Sequence, residues 1–245
     1  MSSAVYIRYE LLRTFRNRRF VFLALGFPLV IYYLIAGPNR NVSDLGGSGI
    51  AAPLYLMVGL AAFGTMNAML SCGARISAER SAGWNRQLRI TPLSTRTYFR
   101  AKVLTGYAMA LATLLLLYAA GATLGVSMSP NLWVKMTALI LVGLIPFAAL
   151  GILLGHLVSV DSIGPVIGGL TALLSILGGV WFPIGTSGLL YHIAQLLPSY
   201  WLVQASHIAV GGQAWGAKGW IVMGTWAAVL SVLAGRAYRR DTRRA

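Results

Sequence analysis

The chain is poor in acids. Its 245 residues hold five Asp and Glu, three His and one Cys, against twenty Lys and Arg. Charged residues make up 10% and hydrophobic residues 57%, where an ordinary soluble domain carries roughly 25% charged. So few charges cannot coat a soluble surface of this length, which excludes a water-soluble globule. Lone Cys72 excludes a disulfide framework and a cysteine-based metal cluster. His156, His192 and His207 are far apart in sequence and form no metal-type pair; His156 reads as a polar residue at a membrane interface. The chain contains no G-x-x-x-x-G-K-[ST] phosphate loop, so it does not hydrolyse ATP by that route. Glu10, Asp44, Glu79, Asp161 and Asp241 all lie at or outside the ends of apolar runs. Ion-coupled carriers keep a charged group inside the membrane, and none is visible here.

What is present is apolar length. Mean hydropathy is +0.71, and nearly uncharged runs cover 20–37, 50–73, 103–128, 136–157, 162–182 and 219–235. Each approaches the ~20 residues that a helix needs to cross the hydrocarbon. A β-barrel would instead show alternating segments of ~10 residues. The expectation is an all-α polytopic membrane protein with six spans forming one domain over 1–245. The first run reads as a retained span, because "PNRNVSD" follows it where a signal peptide would carry a small-residue cleavage site.

Seventeen of the twenty basic residues fall in three segments: Arg8 to Arg19, Arg75 to Lys102, and Arg236 to Arg244. With six spans all three lie on one side, and basic short loops mark the cytoplasmic face. Both termini are therefore expected in the cytoplasm. The net charge of +15 meets anionic headgroups at about 1 kcal/mol per residue, so lipids are the expected partners and nucleic acid is not.

The segment 74–102 concentrates this charge. Apart from Gly83 nothing interrupts a helix from Ala74 to about Leu88, with Arg75 and Glu79 spaced as an i, i+4 pair. Pro92 then ends the element and holds Thr91 extended. A second helix is expected to begin at Ser94 or Thr95 and run into the third span. Two readings of the first helix stand, an anchor on lipid or a docking surface for a cytoplasmic partner. Glu79 adds a charge that lipid anchoring does not require.

The run Ala78-Glu79-Arg80-x-x-Gly83, then Leu88-x-x-Thr91-Pro92-Leu93-Ser94 with Tyr98 and Lys102, resembles the cytoplasmic loop of ABC-transporter permeases of the type 2 exporter family. Ser81 and Trp84 stand where that family usually has a second acid and often a Thr. The resemblance extends over nearly the whole chain. It implies an amphipathic elbow helix over 4–19, where Val5, Tyr9, Leu12 and Phe15 recur at helical spacing. It further implies a coupling loop over 74–102, whose helix sits in a cleft of the ATP-binding subunit, and short re-entrant helices over 183–217, bracketed by Pro183 and Pro198.

By the same resemblance, Glu79, Arg80, Gly83, Trp84, Arg86, Thr91 and Pro92 couple the permease to a separate ATPase. That ATPase binds ATP and Mg, so this chain holds no cofactor and is not an enzyme. The implied working unit contains a second permease copy, as a homodimer, in a bacterial cytoplasmic membrane. Phe27, Tyr55, Phe63 and Asn67 are candidates for a translocation path; the bland role for Asn67 is an interhelical hydrogen bond. Tyr32 and Tyr33 read as interface anchors. Gly121/Gly125, Gly151/Gly155 and Gly164/Gly168 have close-packing spacing, but among 28 glycines chance pairs are expected. The implied function is ATP-driven export of a hydrophobic or amphipathic compound such as a drug, antibiotic or lipid-like molecule. An ATP-independent channel or carrier and a membrane anchor recruiting an ATPase are the alternatives.

Overall fold

A computed structural model describes residues 3–83, 94–210 and 214–244, all helix, turn or coil with no strand among them. In hydrocarbon every backbone N–H and C=O must be paired within the segment, which makes apolar runs helical. Five helices, one of them a joined pair, are long and apolar enough to cross a membrane, and a bent pair at the start makes a sixth. The chain is an all-α, multi-pass membrane protein.

The bent pair is α1 (Ser3–Arg16) and α2 (Arg18–Ala36), which meet at 62°. Asn17 makes the corner: its side chain accepts from Phe20 N at 3.2 Å and caps α2. In α1 the pattern of a soluble helix is reversed. Val5, Tyr9, Leu12 and Phe15 are exposed, whereas Glu10 and Thr14 are buried. Such a helix presents its apolar stripe to lipid and its polar residues to the protein.

Helix α3 (Ala52–Ser81) is the most enclosed of the candidate spans, and most of its residues are buried. At 1.5 Å per residue it is about 45 Å long. It packs against α2, α4 (Thr95–Thr123), α6 (Ile145–Leu157) and α7 (Val160–Leu177). The second span and the start of the loop are thus one helix. No separate surface helix begins at Ala74; Gly73, expected at the span's end, lies inside α3.

Helix α3 ends at Gly83, which takes φ +72° and donates its N–H to the Arg80 carbonyl at 3.1 Å. That left-handed closure suits glycine. Ser94 then caps α4, accepting from Thr97 N at 3.2 Å, and α4 continues unbroken through Arg100 and Lys102 into the third apolar run. The fourth span is α5 (Pro130–Gly143) joined to α6 across Leu144, just before Pro146.

Glycine sets the closest helix contact. Gly73 on α3 faces Gly151 and Gly155 on α6. A Cβ at Gly155 would lie 2.8 Å from the Gly73 carbonyl oxygen, and one at Gly151 would lie 2.7 Å from that of Met69. Small residues allow this approach where no hydrophobic force draws helices together in lipid. A Cβ at Gly164 or Gly168 would meet nothing within 4 Å, so their spacing serves no contact among the described residues.

Between α7 and the last helix, α10 (Ala217–Arg244), lie α8 (Leu189–Ala194), α9 (Pro198–Gln204) and a 3-10 turn (Ala205–Val210). Helix α9 is buried from Pro198 to Val203 against α3, α5, α7 and α10. Pro198 opens it at a position where a missing N–H is harmless, and Pro183 packs on Gly46. Indole N–H groups donate to backbone carbonyls: Trp201 to Gln195 at 3.1 Å, Trp215 to Trp201 at 2.6 Å and Trp226 to Leu196 at 2.8 Å. Lys218 donates to the Gln195 side chain.

Candidate functional site

The charged residues at the end of α3 converge in two adjoining networks. In the first, Lys102 on α4 is fully enclosed, and its Nζ lies 2.5 Å from Glu10 Oε1 and 2.6 Å from Glu79 Oε1. Tyr98 donates its hydroxyl to Glu79 Oε2 at 2.7 Å, and Arg13 reaches Glu79 at 3.0 Å from a largely exposed position. Arg75 does not form the i, i+4 pair that its spacing allows. Its guanidinium donates to the Thr14 hydroxyl and lies 5.1 Å from the centroid of the Phe20 ring. Three helices, α1, α3 and α4, are joined through one carboxylate.

The second network starts one residue later. Successive residues on a helix point about 100° apart, so Arg80 faces away from the Glu79 partners. It donates to the backbone carbonyls of His156 and Val158, the latter at 2.9 Å, and approaches Asp241 at 3.8 Å. Asp241 on α10 lies 3.1 Å from His156 Nδ1. Phe99 and Tyr238 stack edge-on around the imidazole, with ring centroids 5.9 Å and 5.5 Å away. Helices α3, α6 and α10 meet here, with α4 contributing the Phe99 ring.

Several sequence expectations change with this geometry. Glu79, expected as a contact for an outside partner, is 5% exposed and turned inward, because a carboxylate in a low-dielectric site is stable only beside its cations. Lys102, counted among the orienting charges, is an interior counter-ion. His156 is buried and paired with Asp241 rather than lying free at the interface. Neither Lys102 nor Asp241 carries a spacing signal for this role: Lys102 binds Glu10 and Glu79, 92 and 23 residues distant, and Asp241 meets His156 85 residues away. Gly83 closes α3, and no described residue lies within 4 Å of where its Cβ would stand. Trp84, Arg86, Thr91 and Pro92 lie outside the described residues.

The path candidates separate. Phe27 and Phe63 have centroids 6.0 Å apart, and Phe63 lies 5.8 Å from Trp181, forming an aromatic row from α2 across α3. Phe27 is exposed, and Phe63 and Asn67 are half-buried. Tyr55 is buried and donates its hydroxyl to the Gly179 carbonyl, so it ties α3 to the turn after α7 instead of lining open space. Tyr32, expected as an anchor, is fully buried and donates to the Pro53 carbonyl at 3.1 Å. Among the described residues no group of three His, Cys, Asp or Glu is arranged for a metal ion.

An amphipathic elbow, a long central helix, an ion-paired junction at its end and an α8–α9 insertion whose second helix is buried combine in one chain. The family model described as ABC-2 family transporter protein matches residues 41–236. This chain belongs to the ABC-2 transporter family. A relative from Bacillus subtilis (strain 168), named "Putative transport permease YvfS", is 30% identical over 195 residues, covering 78% of each chain. As an ABC-2 permease, the protein is the transmembrane, non-catalytic subunit of an ABC transporter, and its family implies an ATP-binding partner.

Proposed function

We propose that this ABC-2 permease is the membrane half of an ATP-driven exporter, moving a hydrophobic or amphipathic compound such as a drug, antibiotic or lipid-like molecule out of the cytoplasm. It sits in a bacterial cytoplasmic membrane with both termini inside. It works as a homodimer with separate ATPase subunits that hold ATP and Mg. The observation supporting this reading is the tie at the end of α3. Glu79 and Arg80, adjacent in sequence, bind that end to α1, α4, α6 and α10. Displacing the end of α3 would therefore move four other helices. Coupling requires that the two nucleotide states of the ATPase bind this end differently.

In this reading Glu79 and Arg80 act behind the contact surface, transmitting motion. Contact itself falls to the loop with Trp84, Arg86, Thr91 and Pro92, on the family resemblance. The test uses permease and ATPase reconstituted in inside-out vesicles. Glu79→Gln should still insert and bind the ATPase, yet lose most ATP-dependent substrate movement. Export at the wild-type rate would overturn the coupling role. Substrate movement by the permease without ATPase would favour a channel or carrier, and ATPase binding without any movement would favour an anchor.

A further inference from the structure

The network around Glu79 leaves one cation unmatched. Glu10 and Glu79 supply two carboxylates, and Lys102, Arg13 and Arg75 supply three cations. Lys102 and Arg13 take both carboxylates. Arg75 forms no ion pair among the described residues; its partners are a hydroxyl and an aromatic face. A half-buried guanidinium satisfied in this way retains its attraction for an anion.

A half-open cavity of about 280 Å³ lies beside it, bordered by α1, the corner at Asn17, the first turn of α2 and the far half of α3. Arg13, Thr14, Asn17, Ser71 and Arg75 give it a polar wall with two guanidinium groups, and Phe20 gives it an apolar one. Glu10 also borders it; its Oε1 is held by Lys102 at 2.5 Å and its Oε2 lies 3.9 Å from Arg13, so both oxygens face cations. The cavity lies at the elbow, where the lipid-facing helix α1 turns into the first span. Helix α2 leaves Phe22, Leu23 and Leu34 exposed along its length, an apolar flank for acyl chains.

We propose that this cavity binds the phosphate of an anionic phospholipid. Arg75 and Arg13 provide the charge, and the Asn17 amide N–H provides a hydrogen bond to the phosphodiester; the Thr14 and Ser71 hydroxyls, which donate to the Glu10 and Ala68 carbonyls, accept from hydroxyls of the headgroup. Planar guanidinium groups match phosphate oxygens in geometry as well as charge, and basic pockets between helices at the membrane edge hold such headgroups. The apolar wall and the position at the elbow favour a lipid over free phosphate. A bound lipid would brace α1 against α3 beside the Glu79 network. The proposal does not depend on the transport reading, because its test needs the permease alone.

The full-length permease, purified in detergent, would be titrated with phosphatidylglycerol and with phosphatidylcholine, and bound lipids counted by native mass spectrometry. Phosphatidylglycerol should be retained about tenfold more tightly, and Arg75→Gln should remove about that factor. Arg75→Lys should keep the preference. Ala78→Phe, at an exposed position on the cavity wall, should block binding by filling the space. Arg18→Gln, exposed and outside the lining, should retain the lipid as the wild type does. If Arg75→Gln fails to fold, Ala78→Phe alone decides. Equal retention of the two lipids, or unchanged phosphatidylglycerol binding in Ala78→Phe, overturns the site. Displacement of the lipid by millimolar inorganic phosphate overturns the lipid assignment in favour of a free anion.

Discussion

Lys102→Met isolates the electrostatics of the α1–α3–α4 junction. The side chain is fully enclosed and touches two carboxylates at 2.5 and 2.6 Å. At an effective dielectric of about 20, each contact supplies roughly 6–7 kcal/mol of gross attraction. Desolvating three ions cancels much of that, at several kcal/mol per ion. The net loss on removing one partner of such a buried set is about 3–5 kcal/mol, because Glu10 and Glu79 then share a site with too few cations. Methionine keeps the length of the stem, so the loss reports charge more than volume. Unfolding free energies from SDS titration in mixed micelles measure it. Glu10→Gln in the Lys102→Met background should recover about 1–3 kcal/mol, the usual size of coupling between touching residues. A Lys102→Met variant within about 1 kcal/mol of wild type, or strict additivity in the double variant, would refute the reasoning.

Two further effects can be measured by the same titration. Gly73→Ala should cost about 1–3 kcal/mol as an overpacked contact, because its Cβ would meet the Gly151 carbonyl; Gly164→Ala, facing open space, should be near neutral. Tyr55→Phe should cost about 0.5–1.5 kcal/mol, the worth of one hydrogen bond, and an unchanged value would remove the tie between α3 and the turn after α7.

The spans were legible because lipid imposes a simple rule, that continuous apolar residues must form helices. The start of α4 was legible from Ser94, whose cap is a local interaction. The end of the second span was not: charge begins at Arg75, yet the helix persists to Ser81 because those charges point into the protein. Sequence also identified Glu79 as the one acid in a basic segment, without revealing its direction. Burial of a charge depends on partners such as Glu10 and Lys102, which only the folded chain brings within reach. The same limit applies to Asp241 and His156, whose pairing no spacing rule anticipates.

The length of α3 has a mechanical consequence. At about 45 Å it exceeds the ~30 Å hydrocarbon core, and its tightest crossing is at Gly73, near one end. From Gly73 the short arm to Ser81 is about 12 Å, and the long arm to Ala52 is about 32 Å. A rigid rod pivoting there has a lever ratio of roughly two and a half. A displacement of about 1 Å at the charged tip would swing the opposite end, where Tyr55 holds the Gly179 carbonyl, by more than twice as far. On the proposed coupling, the off-centre glycine contact would convert a small stroke at the charged tip into a larger one at the opposite end.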